Sequence, residues 1–147
     1  MPGFLFDTSV WLAATFPKHI FYPIAQKALH QCTAAQPAVW CRATEQSFMR
    51  LASTPSLIRT YDAIGQTNRT VWQALDTLQA LPQVSWQAEP PGIFEKWRAL
   101  ASIDSASPKV WMDAYLAAFA ICANLRLVTF GKDFLKFERS SLDLLLL

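Results

Sequence analysis

The sequence has few cysteines, and none of them form a Cys-x-x-Cys pair. The three cysteines, Cys32, Cys41 and Cys122, leave an odd thiol, so a framework of disulfides is not expected. The chain also lacks a basic-then-apolar leader at its start. We therefore expect a protein of the reducing cytoplasm.

Long apolar runs are absent as well. The longest one, Ala114 to Ala123, is far shorter than the roughly 20 residues needed to cross a bilayer, and the closing run Leu144 to Leu147 is shorter still. No membrane partner is expected.

Neither sign of charge is in large excess. The formal net charge is +2 and the pI is about 8.5, too mild to indicate a nucleic-acid ligand without other evidence, so any such contact must be local. The composition is 52% hydrophobic and 16% charged, which excludes disorder as the main state. Six Trp and ten Phe make an oligomer or a protein partner plausible, because aromatic residues are favoured at interfaces as well as in cores.

Short strands and longer helices alternate along the chain. Apolar and β-branched runs predict strands at Phe4–Phe6, Pro37–Trp40, Val84–Ala88, Leu127–Phe130 and Leu142–Leu146. Apolar residues at helical spacing predict helices over Val10–Ala14, Ile24–Ala34, Ala43–Ala52, Ser56–Ile64, Asn68–Ala80, Ile93–Ala101 and Val110–Asn124. This alternation predicts a single α/β domain over residues 1–147, with a parallel sheet and helices on both faces.

Three acids lie where a site in such a sheet would form. Asp7 ends the first strand, and sites of open α/β sheets form beyond the carboxyl ends of strands. Glu45 and Asp113 lie in the first turns of two predicted helices. Hydrolysis of a phosphodiester needs an activated water and a neutralised transition state, which Mg²⁺ held by a few carboxylates supplies. We predict such a site at Asp7, Glu45 and Asp113.

Each acid also has an ordinary structural explanation. Asp7 could cap the following helix, while Glu45 and Asp113 could be favourable charges near helix N-termini. Against this, small apolar residues follow Asp113 and predict a helix packed closely on the sheet. An acid at the head of a buried helix usually needs a positive group to neutralise it.

Four segments together resemble a known family. They are FLFDTSVWLA at 4–13, ATEQSFMRL at 43–51, SPKVWMDAYLAAFA at 107–120 and LVTFGKDF at 127–134. In this order, and in a chain of this length, they are similar to the PIN-domain ribonucleases, specifically the VapC toxins of bacterial toxin-antitoxin pairs. Asp-Thr-Ser alone would be a weak match. The likeness runs from about Phe4 to Leu146.

The resemblance implies a three-layer α/β/α fold with a central, mainly parallel sheet of four to five strands. It further implies a Mg²⁺ or Mn²⁺ site, endonucleolytic cleavage of RNA, a homodimer and inhibition by a VapB-type antitoxin. On this reading Asp7, Glu45 and Asp113 are the metal ligands, and Ser9 orients Asp7 or a metal-bound water. Transfer RNA or a ribosomal loop would be the usual target.

One position departs from the family pattern. A fourth acid commonly follows the Thr-Phe at the end of the fourth strand, and Gly131 stands there in this chain. Asp133, two residues later, either replaces the missing ligand or is a surface residue. Mg²⁺ can still bind three carboxylates because water completes its coordination shell.

Basic and aromatic residues near these acids are candidates for RNA contacts. Lys109 and Lys132 could hold phosphates, and Trp111 could stack on a base, although surface charge and packing are their alternative roles. Two other functions are left open by the sequence. One is a binding module of the same fold with a degenerate metal site, motivated by Gly131, and the other is an interaction protein whose carboxylates only stabilise helices.

Overall fold

The computed structural model describes residues 3–147, and its strands form one five-stranded sheet. Residues 1 and 2 of the predicted domain lie outside this part. Every neighbouring pair of strands is parallel, in the order β3-β2-β1-β4-β5. The strands are β1 (Phe4–Phe6), β2 (Ala38–Trp40), β3 (Val84–Trp86), β4 (Arg126–Thr129) and β5 (Leu144–Leu146). The prediction of a parallel α/β sheet is therefore confirmed.

Seven α-helices and one 3₁₀ helix connect the described strands. The α-helices are α1 (Thr8–Thr15), α2 (Tyr22–Gln31), α3 (Arg42–Ala52), α4 (Pro55–Thr60), α5 (Asn68–Gln79), α6 (Ile93–Ala101) and α7 (Val110–Ala123). The 3₁₀ helix is Lys132–Ser140. Within residues 3–147, none of these helices is both long and apolar enough to span a bilayer.

Two apolar cores, one on each face of the sheet, hold the layers together. Successive side chains of a strand point to opposite faces, so Phe6 enters one core and Leu5 the other. The first core contains buried residues of α1, α2, α3 and α5. The second contains those of α6, α7 and the 3₁₀ helix. This arrangement is the three-layer α/β/α fold that the sequence predicts.

Helix α7 packs closely on the sheet because its inner positions carry small side chains. Ala114, Ala117, Ala118 and Ala120 have no exposed surface, and Phe119 is equally buried. This close packing determines where the first turn of α7 lies relative to the strand ends. Asp113 lies in that turn, so its position is set by the packing of the residues that follow it.

Most predicted boundaries agree with the structure to within a few residues, and three regions differ. Helix α1 begins already at Thr8, ahead of the predicted Val10. Helix α4 ends at Thr60 rather than Ile64, since Asp62 takes a left-handed φ of 54° that cannot continue a helix. Beyond β4 the sequence predicted no helix, whereas Lys132–Ser140 forms the 3₁₀ helix and ends at Ser141, whose φ is 72°.

Candidate active site

Asp7 is positioned by the central strand of the sheet. Strand β1 lies between β2 and β4, and the backbone N–H of Asp7 donates to the carbonyl of Val128 at 2.9 Å, which continues the ladder with β4. The chain then turns directly into α1. Asp7 occupies the N-cap position of that helix, but its side chain makes no capping hydrogen bond. The side chain of Asp7 therefore does not cap α1 in the usual way.

The carboxylate of Asp7 is instead held by two hydroxyls. Ser9 Oγ donates to Asp7 Oδ2 at 3.1 Å, and Thr129 Oγ1 donates to the same oxygen at 2.8 Å. The Thr129 hydroxyl also accepts from the backbone N–H of Gly131 at 2.9 Å, so its own orientation is fixed. Ser9 is thus placed to orient Asp7, and its supporting role in catalysis stays a prediction.

Burial raises the pKa of Asp7 above its ordinary value, and the hydrogen bonds from Thr129 and Ser9 and from the backbone of Thr8 counteract this only in part. The cause is desolvation, which disfavours the ionised form of a carboxyl group. No described Lys or Arg forms an ion pair with Asp7. Asp7 therefore lies in a shielded position without an ion-pair partner among the described residues.

Asp113 lies close enough to Asp7 for the two charges to interact. Burial is the main cause that raises the pKa of Asp113, followed by the negative charge of Asp7, while Lys136, Asp133 and Lys109 act more weakly. Of these, the charge of Asp133 raises the pKa and the two lysines lower it. The first turn of α7 and the end of β1 thus bring two of the predicted carboxylates together.

Asp133 belongs to the same neighbourhood but is more exposed. It lies in the first turn of the 3₁₀ helix, and its charge acts on Asp113. Gly131, which stands where the family has its fourth acid, has an ordinary extended backbone with φ of −87°. A Cβ atom at Gly131 would meet Thr129 Oγ1 at 3.4 Å, an ordinary contact distance. Nothing in the backbone at this position therefore requires glycine.

Glu45 is buried at 5% exposure and engaged elsewhere. Its Oε1 accepts from Arg42 Nη1 at 2.9 Å and from Trp86 Nε1 at 3.0 Å, and its Oε2 accepts from Gln79 at 2.6 Å. Its charge is not among those that raise the pKa of Asp7 or Asp113. The side chain of Glu45 thus contacts β3 and α5, and its role as a metal ligand stays a prediction.

The three residues predicted to contact substrate lie in different surroundings. Lys109 immediately precedes α7 and acts on the charge of Asp113. Lys132 is exposed at the start of the 3₁₀ helix. Trp111 is 59% exposed and lines a groove with Trp97, whose Nε1 donates to the Trp111 carbonyl at 2.9 Å. Positions 111 and 113 are about 200° apart around a helix, so Trp111 faces α6 rather than the carboxylates.

Two neighbours of the acids were missed by reasoning from the sequence. Thr129 was recognised only as part of a strand, although the alignment of two parallel strand ends could have placed its hydroxyl beside Asp7. Lys136 acts on Asp113, and the 3₁₀ helix that carries it was not predicted.

The carboxylates suit a hard divalent cation. Asp7 and Asp113 are both partly shielded, each is without a described ion-pair partner, and their charges disfavour one another. Within residues 3–147, no three His, Cys, Asp or Glu side chains are grouped tightly enough to form a complete metal cage. Mg²⁺ needs only one or two carboxylates because it retains several waters, so the pair fits it.

The fold and these residues define an α/β/α protein with paired acids at the carboxyl edge of a parallel sheet. Comparison with known proteins identifies the family within this class of fold. Residues 4–140 match the family model described as PIN domain. Ribonuclease VapC41 of Mycobacterium tuberculosis is 37% identical over 142 residues, which cover 96% of this chain and 97% of that protein. The chain therefore belongs to the PIN-domain family and, within it, to the VapC group.

Solved structures agree with this fold at low sequence identity. The VapBC-1 complex from nontypeable Haemophilus influenzae contains a chain with a TM-score of 0.67 and 14% identity, covering 97% of this chain and 96% of that one. VapC20 of Mycobacterium tuberculosis, described as a toxin that cleaves the sarcin-ricin loop, gives a TM-score of 0.64 at 17% identity, covering 91% of this chain and 94% of that one. These two similarities support the architecture.

Proposed function

We propose that this chain is a Mg²⁺-dependent endoribonuclease, with Mn²⁺ as a possible substitute, and the toxin of a type II toxin-antitoxin system. The observation that carries the proposal is the pairing of Asp7 with Asp113 at the carboxyl edge of the sheet, where neither forms an ion pair with a described Lys or Arg. Membership of the VapC group supports ribonuclease activity, because its 37% identical relative is named a ribonuclease.

Asp7 and Asp113 would hold the ion together with Glu45, as the resemblance implies, and Asp133 would contribute charge, since its charge acts on Asp113. The ion would supply Lewis acidity and lower the pKa of a bound water. The side chains of the protein would position the metal ligands and the RNA. Ser9 and Thr129 hold the Asp7 carboxylate, and Lys109, whose charge acts on Asp113, would contact a phosphate of the RNA backbone.

The partners follow from the relatives rather than from the site. The VapBC-1 complex is a similar structure, and from it we infer a VapB-like antitoxin for this chain as well. We also infer a homodimer. Phe94 and Trp111 are more than half exposed, which is apolar surface available for protein contacts.

Structured or single-stranded loops of transfer or ribosomal RNA are the proposed substrates. The three free cysteines suit a reducing cytoplasm.

Cleavage of total cellular RNA tests the function. The protein is purified free of antitoxin and compared with Asp113→Asn, each with Mg²⁺ and with a chelator. We expect discrete fragments only from the wild type with Mg²⁺. An Asp104→Asn variant changes an exposed acid of the loop before α7 and should cleave normally. Equal cleavage by all proteins under all conditions would refute the mechanism.

The alternative is a PIN-fold binding protein with a degenerate metal site, and Gly131 is the observation that favours it. Isothermal titration calorimetry with Mg²⁺ and Mn²⁺ separates the two functions. A heat of binding that is lost in Asp7→Asn supports the nuclease. If neither ion binds and RNA is bound without being cut, the binding protein is the better description.

A further inference from the structure

A row of aromatic side chains begins beside the carboxylates, at the carboxyl edge of the sheet. Its first member, Phe130, directly follows Thr129, the last residue of β4, whose hydroxyl donates to Asp7 Oδ2 at 2.8 Å. Phe130 packs against the first core, on the face of the sheet that α1 and α2 cover. Helix α7, which carries Asp113, covers the other face. The row therefore starts one residue from the group that holds Asp7.

The rings of this row contact one another in succession. The ring centres of Phe130 and Phe21 are 4.7 Å apart, and those of His19 and Tyr61 are 4.8 Å apart, both pairs being stacked. His19 also contacts Phe21 at 5.9 Å, which joins the two pairs. We call Phe130, Phe21, His19 and Tyr61 the ring surface. Phe21 is 38% exposed and the other three are half-buried, so part of each ring remains open to a ligand.

Backbone hydrogen bonds hold the turn that carries two of these rings. The N–H of His19 donates to the carbonyl of Phe16 at 2.9 Å, and the N–H of Tyr22 donates to the carbonyl of His19 at 3.0 Å. The N–H of Phe21 donates to Nδ1 of His19 at 3.0 Å. Burial lowers the pKa of His19, so its ring is uncharged at neutral pH. Rings held in this way lose little freedom when a flat ligand stacks on them.

The ring surface has basic surroundings. The segments that carry its rings, residues 16–24, 55–61 and 130–132, contain three Lys or Arg residues and no Asp or Glu. The three cations are Lys18, Arg59 and Lys132, which are exposed and form no ion pair with a described residue. The nearest acids in sequence, Asp62 and Asp133, lie just outside these segments. The surface is therefore complementary to a ligand that is both flat and negatively charged.

We propose that the ring surface binds the unpaired stretch of RNA that flanks the cleaved bond, with bases stacked on the rings and phosphates on the three cations. The proposal rests on the proposed function. Single-stranded RNA is bound by stacking its bases on aromatic side chains, while Lys and Arg hold its phosphates. Because the rings begin beside Asp7, an RNA strand with a phosphodiester at the carboxylates reaches them within a few nucleotides. Paired bases cannot open onto the rings, so the surface selects unpaired RNA.

Oligonucleotide binding tests the ring surface without relying on cleavage. Labelled single strands of about ten adenine nucleotides are titrated by fluorescence anisotropy against Asp113→Asn protein, with and without the additional change Phe21→Leu. A duplex of this strand with its uracil complement is titrated in parallel. Leucine is apolar but not flat, so we expect about fivefold to tenfold weaker binding of the single strand and unchanged binding of the duplex.

Two further variants show whether the flat ring is what matters. Phe21→Tyr keeps the ring and should bind the single strand as Phe21 does, which would also show that the position tolerates substitution. Trp72→Leu removes an exposed ring of α5 and is the matched control, with unchanged affinity expected. Equal losses in Phe21→Tyr and Phe21→Leu would overturn the stacking role.

Arg59→Gln tests the electrostatic part of the proposal. The loss of one phosphate contact should reduce the slope of log affinity against log salt concentration by about 0.7 for a single strand. Arg69→Gln changes an exposed arginine of α5 and should leave the slope unchanged. The same slope in Arg59→Gln as in the unchanged protein would contradict the phosphate contact.

The outcomes separate the ring surface from the proposed function. If the wild type cleaves RNA but Phe21→Leu leaves the single-strand affinity unchanged, the ring surface is wrongly assigned and the nuclease stands. If the wild type neither cleaves nor binds RNA, the proposed function itself fails. Ile20, an aliphatic side chain that is 80% exposed beside His19, distinguishes RNA from a protein partner. Ile20→Ser should leave RNA affinity unchanged, and a loss as large as that in Phe21→Leu would indicate general apolar docking and overturn the proposal.

Discussion

Thr129 Oγ1 donates to Asp7 Oδ2 at 2.8 Å and so joins the ends of two neighbouring strands that are 122 residues apart in sequence. The same hydroxyl accepts from Gly131 N–H. This one side chain therefore couples the orientation of the predicted metal ligand to the loop that leads towards Asp133.

Replacing Thr129 by Val keeps the shape of the side chain and removes the hydroxyl. Thr129 has no exposed surface, so the N–H of Gly131 would lose its partner in a dry environment and Asp7 would lose a donor. We expect about 1–3 kcal/mol less stability and roughly tenfold slower RNA cleavage. Urea unfolding and cleavage rates measure the two effects. Thr129→Ser keeps the hydroxyl, and a loss of activity in that variant equal to that of Val would contradict the role of this bond.

The raised pKa of Asp7 predicts how stability depends on pH without metal. The folded state binds the proton more tightly than the unfolded state, whose value is near 3.8, so stability is lost as pH rises from about 4 through the folded pKa. At neutral pH the ionised group opposes folding. Asp7→Asn should therefore stabilise the metal-free protein at pH 7 and flatten this dependence.

Thermal unfolding of the same pair also reports on the metal. Mg²⁺ should raise the midpoint of the wild type, because a ligand bound only by the folded state stabilises it, and should have little effect on Asp7→Asn. Asp104→Asn, at an exposed position, should behave as the wild type in both respects. Equal Mg²⁺ stabilisation of all three proteins would place the ion away from Asp7.

Gly131→Asp should be accommodated and should strengthen the metal site. The backbone there has φ of −87°, and the added Cβ would meet no atom closer than 3.4 Å. A further carboxylate beside Asp7 and Asp113 should tighten Mg²⁺ binding severalfold by calorimetry. Gly131→Asn has nearly the same shape without the charge, and it should not show the gain. Misfolding of both variants would contradict the free space at Gly131.

Asp133→Ala tests whether this acid replaces the missing ligand. Its charge acts on Asp113, so we expect Mg²⁺ affinity to fall a few-fold, with a smaller effect on cleavage at saturating Mg²⁺. Glu138→Ala removes an exposed acid of the same 3₁₀ helix and serves as the control. Unchanged affinity and cleavage in Asp133→Ala would show that the other carboxylates suffice.

The sequence carried enough information to place the sheet, because short apolar runs and helical spacing mark strands and helices locally. It also placed Asp7 and Asp113 correctly at one edge, since a parallel sheet brings strand ends and the starts of the following helices together. The direction of Glu45 was not accessible in this way. Adjacent residues of a helix differ by about 100°, and the side chain's direction depends on Gln79 and Trp86, which lie 34 and 41 residues further along.

The 3₁₀ helix was missed for a different reason. Its buried positions, Phe134 and Phe137, are three residues apart and only two in number, too few to reveal a helix by periodicity. Their burial against α7 supplies the stabilisation instead, and that contact appears only when the fold is assembled. The role of Thr129 was missed for the same reason, because it can be recognised only when β4 is known to lie beside β1.

The central place of β1 also sets the order in which the protein can be completed. Leu5 pairs with Leu127, and Asp7 accepts a hydrogen bond from Thr129. Strand β1, which is synthesised first, therefore cannot complete its pairing until β4 has been synthesised. Such long-range strand pairing forms late in folding, because the entropy of closing a long loop is lost before the stabilising contacts form. A nascent chain that has not yet produced β4 therefore lacks both the strand that pairs with β1 and the hydroxyl that holds Asp7.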